Sequence, residues 1–107
     1  MFSIRVSKYR ENVMLNICDA GLLGSRIGGD DTADGGRGGG RQMMHISEGY
    51  YGGNLVSREE ASRLLKESSI INMVGRETIS LAVELGVGSW DGSRTISDVP
   101  FLLVFKM

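Results

Sequence analysis

Polarity alternates with a period of two near the N-terminus, and this pattern constrains the fold more than any other. Along residues 2–10, Phe2, Ile4 and Val6 alternate with polar side chains. The alternation resumes in VMLNICD, residues 13–19, after a short polar turn. Because successive side chains of a strand point to opposite faces, each run predicts a half-buried strand. Two such runs so close together predict an antiparallel β-hairpin.

The rest of the chain supplies the other elements of an α+β domain. Ser57 lies three residues before Glu60, which is the spacing of a capping box, and an apolar stripe of helical period follows it. A second amphipathic segment ends at Gly86, which fits the left-handed position after a helix. The elements predicted after the hairpin are a strand at 41–47, a helix at 58–68, a strand at 70–74, a helix at 76–85 and a last strand at 101–105. The last strand is apolar on both sides, and we expect it to be buried. This order, β-β-β-α-β-α-β, predicts a small single-domain mixed β-sheet with two helices packed on one face.

Length and composition limit the chain to one domain and exclude several functional classes. The chain has 107 residues, of which 41% are hydrophobic, and this is enough for one core but not for two. Its net charge of −1 gives no overall attraction to nucleic acid, so such binding needs a local basic patch. A single cysteine allows no intrachain disulfide and favours a reducing compartment. The sequence has neither a signal peptide nor a membrane-spanning apolar run, and we expect a cytoplasmic protein.

A glycine-rich stretch interrupts the chain between Gly28 and Gly40, where thirteen residues contain seven glycines. A phosphate-binding P-loop would end in Gly-Lys-Ser/Thr before a helix, and that ending is absent here. Arg37 and Arg41 resemble one unit of an RNA-binding arginine-glycine segment, but three aspartates precede them and nearly cancel the charge. We therefore expect a flexible insertion at about 27–41, because ordering glycines costs much backbone entropy.

The segment EGYYGG is the first candidate binding motif. Tyr50 and Tyr51 precede Gly52 and Gly53, and a glycine pair favours a shaped loop rather than a helix. Such a loop can present a tyrosine that stacks on a base or fills a partner's pocket. In the alternative interpretation, one tyrosine belongs to the core and the other is half exposed.

The segment NMVGRE is the second candidate binding motif. If a strand ends before Gly75 and a helix begins at Arg76, the turn leaves free amides at a helix N-terminus. Those amides and the arginine predict an anion site, with Asn72 beside it. In the alternative interpretation, Glu77 caps the helix from within the protein and Asn72 hydrogen-bonds to the neighbouring turn.

Cys18, Asp19 and His45 are the only residues that resemble a nucleophile, a carboxylate and a base. His45 would approach Cys18 if their two strands paired. In the alternative interpretation, the cysteine is a small buried hydrophobe and the histidine is an ordinary half-exposed residue. One cysteine and one histidine cannot build a zinc site, and the sequence predicts no metal site and no cofactor.

Six short motifs occur in a fixed order along most of the chain. They are Cys18-Asp19, Leu23-Gly24, Tyr51-Gly52-Gly53, Asn72-Met73-Val74-Gly75, Ser80-Leu81-Ala82 and Val99-Pro100. In this order they resemble the archaeal domain of unknown function 424 (DUF424). The chain departs from that pattern in its glycine-rich insertion and in Phe101, where the family has a histidine. The resemblance implies no established activity. It implies a link to translation, because the family's genes are reported beside translation factors, including the beta subunit of translation initiation factor two.

These observations favour a non-enzymatic binding module in translation or RNA metabolism, whose partner is RNA or a translation factor. Its contact surface would be the Tyr50–Asn54 loop together with the Asn72–Arg76 turn. One alternative is a small hydrolase or transferase with a cleft near Cys18 and His45. Another is an interaction protein that forms a homodimer through an exposed edge of the sheet.

Overall fold

The protein is built on one six-stranded mixed sheet. A computed structural model of the chain describes residues 1–24, 26–27 and 44–106. Its elements are β1 (Phe2–Tyr9), β2 (Asn12–Asp19), β3 (Arg26–Ile27), β4 (Met44–His45), α1 (Glu48–Tyr51), β5 (Asn54–Val56), α2 (Arg58–Glu67), β6 (Ile70–Val74), α3 (Arg76–Glu84), β7 (Arg94–Ile96) and β8 (Val99–Phe105). The main sheet has the order β5-β1-β2-β6-β8-β7, in which β2 and β6 are parallel and the other neighbours antiparallel. No helix in the described ranges is long and apolar enough to cross a membrane.

Helices α2 and α3 pack on one face of this sheet, which confirms the predicted α+β class. Both helices begin where predicted, and each ends one residue earlier than predicted. Ser57 Oγ accepts a hydrogen bond from the Glu60 amide at 3.3 Å, and Gly86 has the expected positive φ of 77°. The core between helices and sheet consists of Phe2, Ile4, Leu15, Ile17, Ala61, Leu65, Ile71, Met73, Ile79, Leu81, Ala82 and Leu102. The alternation of β1 and β2 therefore identifies the face towards the helices. The prediction of half-buried strands was wrong in two respects: Val6 is 42% exposed, and β2 is buried on both faces from Leu15 to Cys18.

The segment after the hairpin differs from its prediction. The described part of the third strand is β4, which is two residues long and pairs with β3 in a separate ribbon rather than with the main sheet. We predicted a flexible insertion at about 27–41, and residues 28–41 of it are outside the described residues. The prediction that EGYYGG contains no helix was wrong, since Glu48–Tyr51 makes one helical turn. Ser47 starts this turn, because its carbonyl accepts from the amides of Tyr50 and Tyr51.

Two edge strands, β5 and β7, were not predicted. Each is three residues long, which is too short to display a period of two. The turn from β7 to β8 has positive φ at both Ser97 and Asp98, as in the tight turns that suit a twisted hairpin. These two strands form the edges of the main sheet, and the predicted homodimer through a sheet edge stays a prediction.

The parallel strands β2 and β6 end side by side, and the joint between them begins α3. The Asp19 carboxylate accepts hydrogen bonds from the Glu77 amide at 3.1 Å, from the Thr78 amide at 2.8 Å and from Thr78 Oγ1 at 2.7 Å. It therefore caps α3 from a distant part of the chain. Gly75 lies against this carboxylate with a φ of 111°, and a Cβ at this position would lie 2.3 Å from Asp19 Cγ.

We expect Gly75→Ala to lower the free energy of unfolding by at least about 3 kcal/mol. Its backbone conformation is nearly restricted to glycine, and the added methyl group would displace the capping carboxylate. Urea denaturation would measure the change. Gly21→Ala is the matched control, because a Cβ at Gly21 has no neighbour within 4 Å and we expect a change within about 0.5 kcal/mol. A Gly75→Ala protein as stable as the control would contradict this account of the joint.

Candidate functional site

The face of the main sheet opposite α2 and α3 carries the candidate site. Its side chains form three rows across the strands, because directly paired residues project from the same face. The first row is Ser3, Cys18, Val74, Phe101 and, on the edge strand, Arg94; the second is Arg5, Asn16, Asn72 and Leu103; the third is Ser7, Met14, Ile70 and Phe105. We call the second and third rows the open half, because all of their side chains except Asn16 are exposed or half-buried.

Helix α1 lies over the first row and leaves the open half uncovered. Tyr51 and Ile46 pack on Cys18 and Val74 in a small second core. Ser3 Oγ donates to the Tyr51 carbonyl at 2.7 Å, which ties α1 to β1. The helical turn is therefore held in place by a buried polar contact as well as by packing.

Two carboxamides in the second row form a chain of hydrogen bonds that fixes their orientation. Asn16 Nδ2 donates to the Tyr50 carbonyl at 3.0 Å. A carbonyl can only accept, so Asn16 must direct its amide nitrogen to α1 and its Oδ1 towards β6. There Asn72 Nδ2 donates to Asn16 Oδ1 at 2.9 Å. Asn72 Oδ1 is left as an acceptor, with no hydrogen bond to any residue that the structure describes.

A cavity of about 210 Å³ opens beside Asn72 at the border between the first row and the open half. Its lining includes Tyr51, Asn72, Arg94, Phe101 and Leu103. Burial raises the pKa of the Tyr51 hydroxyl, so this group stays protonated at neutral pH and can donate. The cavity thus combines apolar walls with an amide oxygen, a phenol and a guanidinium.

The charges on this face are of one sign. Among the described side chains that project from its strands, the charged ones are Arg5 and Arg94, and both are exposed. Leu103 and Phe105 project from β8, and 51% and 61% of their surfaces are exposed. A face that carries both an exposed aromatic ring and cationic groups is suited to an anionic ligand with planar apolar parts.

The predicted binding residues fall into three separate places. Tyr51 and Asn72 meet at the 210 Å³ cavity, although they come from different predicted motifs. Tyr50 is exposed on α1 next to them. Gly52 and Gly53 line a neighbouring hollow of about 300 Å³ at the β5 edge.

Gly75 and Arg76 lie away from this cavity. The amides that were predicted to bind an anion already donate to the Asp19 carboxylate. Arg76 donates weakly to the Asp98 carbonyl at 3.4 Å and lines a different hollow, of about 320 Å³, together with Phe2 and Arg58. Within this structure the anion partner of the α3 N-terminus is therefore part of the protein.

Cys18 and Asp19, two of the three residues proposed for nucleophilic chemistry, both have structural roles. The Cys18 side chain is 0% exposed, and burial together with the Asp19 charge raises the pKa of its thiol to about 12. Asp19 itself is occupied in capping α3. The strand that contains His45 pairs with β3 instead of β2, and the structure describes only the backbone of this histidine. A thiol with this pKa is almost entirely protonated at neutral pH and is a poor nucleophile.

Comparison with known proteins identifies the family. A family model described as a protein of unknown function, DUF424, matches residues 7–107. The chain belongs to the DUF424 family. Its fold is also similar to the crystal structure of an uncharacterized conserved protein from Methanopyrus kandleri, with a TM-score of 0.70, 20% sequence identity and coverage of 99% of this chain and 93% of that one. No functionally curated protein matches the sequence.

Sequence reasoning missed several residues of the site in this DUF424 chain. Arg94 lies on a strand that was not predicted, and Leu103 was assigned to a buried strand. Asn16 carried a usable signal, because a carboxamide within an alternating apolar strand calls for a partner. Within the described residues, no group of three or more His, Cys, Asp or Glu side chains is placed to hold a metal ion.

We expect the Cys18 thiol of the folded DUF424 protein to resist alkylation by iodoacetamide between pH 7 and about pH 9. Its pKa of about 12 leaves almost no thiolate, and its side chain is fully buried. Mass spectrometry of the native protein should show a labelling rate far below that of the protein unfolded in guanidinium chloride, which serves as the control. Equal rates in the two states would return the thiol to consideration as a nucleophile.

Proposed function

We propose that this DUF424 protein is a non-enzymatic binding module that holds single-stranded RNA on the open half of its sheet. The observation that carries the proposal is the composition of this surface. Exposed Leu103 and Phe105 lie on the same face of the sheet as Arg5 and Arg94, and the described strand side chains on this face include no acidic residue. Nonspecific single-strand binding combines these same features, a cationic groove and aromatic rings on which bases stack.

The arginines are placed to contact the backbone of a bound strand on either side of the bases. Arg5 projects from β1 near the Gly53 loop, and Arg94 projects from β7 at the opposite edge. Four strand spacings separate β1 from β7, which corresponds to roughly 19 Å. In this arrangement Phe105 and Tyr50 offer aromatic surface, and the cavity between Tyr51 and Asn72 receives one base.

The overall charge of −1 makes the predicted interaction local and sensitive to salt. The link to translation that the family resemblance implies makes an RNA of the translation apparatus, in the cytoplasm, the first partner to test. A protein partner, such as a translation factor, would have to match the same arginines with acidic groups.

We expect the protein to bind a labelled single-stranded RNA in fluorescence anisotropy at low salt. Arg94→Ala should raise the dissociation constant about tenfold, because it removes one charged hydrogen bond to phosphate. It should also reduce the slope of log K against log salt by about 0.7.

Arg63→Ala is the matched control for this experiment. It removes the same charge from the exposed surface of α2, on the other side of the sheet, where Arg63 pairs with Glu60 and Glu67. Binding of this variant should match the wild type. Equal weakening in the two variants, or no binding of any single-stranded RNA at low salt, would refute the proposed function.

A further inference from the structure

The hydrogen-bond chain from α1 to Asn72 makes the cavity selective for the kind of base it can receive. We infer that the cavity takes a base with an exocyclic amino group, and that adenine is the base it fits best. This inference rests on the proposed function, since it concerns the ligand of the same site. It follows from which atoms of Asn72 remain available.

The orientation of Asn72 is determined by a backbone group that cannot change its role. The Tyr50 carbonyl accepts from Asn16 Nδ2, and Asn16 Oδ1 accepts in turn from Asn72 Nδ2. Rotating the Asn72 carboxamide would bring its oxygen against Asn16 Oδ1, and two acceptors would face each other. Asn72 Oδ1 is consequently held as an acceptor, and a ligand that covers it must supply a donor in place of water.

Adenine and cytosine supply an amino donor next to a ring nitrogen that accepts, whereas uracil supplies a ring N–H that lies between two carbonyl acceptors. The carboxamide, with an acceptor beside a donor, matches the first arrangement. Pairing of an asparagine carboxamide with adenine is a recurrent recognition contact. Guanine offers two acceptors, O6 and N7, on one edge, and these would oppose Asn72 Oδ1. Its Watson–Crick edge offers two adjacent donors, N1–H and the amino group, whereas the carboxamide presents a single acceptor beside its own amide nitrogen. Adenine also presents a larger ring than cytosine to the apolar walls formed by Phe101 and Leu103.

Asn16 acts in this selection without touching the ligand. It does not line the cavity, and the nitrogen and the oxygen of its carboxamide are used in holding Tyr50 and Asn72. It is a positioning residue. Its replacement should leave Asn72 free to present either its oxygen or its nitrogen, which would remove the discrimination while the arginines still hold the strand.

The test compares two oligouridines that differ in one central nucleotide, adenosine in one and purine riboside in the other. These ligands differ only by the amino group. In fluorescence anisotropy the wild-type protein should bind the adenosine oligomer at least about fivefold more tightly. Asn72→Ala and Asn16→Leu should each bring this ratio close to one, and Asn12→Ala, an exposed asparagine at the start of β2, should leave it unchanged.

The comparison of the two ligands on the wild-type protein needs no variant, so it decides the question even if a substitution prevents folding. Binding of both oligomers with equal affinity would overturn the inference and leave the proposed function in place. Binding of neither oligomer would overturn the proposed function and the inference together. A preference for adenosine that survives in Asn72→Ala would show that another group reads the base, and the assignment to Asn72 would be wrong.

Discussion

The parallel pairing of β2 with β6 is the constraint on which both the architecture and the candidate site depend. Its register places Asn16 beside Asn72 and Cys18 beside Val74, and it brings the ends of the two strands together at Asp19 and Gly75. A shift of one residue would turn every one of these side chains to the other face of the sheet. The same register therefore determines the cap of α3 on one side of the sheet and the carboxamide pair on the other.

At the end of this pairing, an internal carboxylate has taken the position that an external anion would occupy. Asp19 meets two main-chain amides and a buried hydroxyl, and a bound anion would have to displace all three contacts. The internal ligand is covalently part of the chain, so it loses little further freedom when it binds. A helix N-terminus that looks open in the sequence can thus be closed by a residue far away in the chain. The better binding surface lies where a polar group has no internal partner among the described residues.

The sequence predicts those features whose cause is local. The alternation of β1 and β2 and the apolar stripes of α2 and α3 are repeated several times within each element, and Ser57 and Gly86 mark helix ends through their own chemistry. Strands β5 and β7 carry too few residues for such a pattern. The proximity of Tyr51 and Asn72 could not be predicted, because it depends on hydrogen bonds of Asn16 to α1 and to Asn72. Those bonds depend in turn on which strands pair, and local periodicity does not indicate strand pairing. The sequence indicates Asp19 as a candidate carboxylate beside Cys18, but its role as a cap depends on a helix that begins more than fifty residues later.

The open half of the sheet differs from an ordinary uncovered hydrophobic face. Covering it with an apolar helix would bury Leu103 and Phe105 favourably, at about 25 cal/mol for each Å² removed from water. The same helix would bury Asn72 Oδ1 without a donor, which costs about 1–3 kcal/mol, and would remove water from Arg5 at a larger cost. A single-stranded polynucleotide would avoid each of these penalties. Its bases are planar and apolar, their edges carry donors, and its backbone is anionic. The combination of an unpaired acceptor, two cations and an exposed phenylalanine on one face of the sheet is the reason for proposing a polynucleotide strand rather than an apolar protein partner.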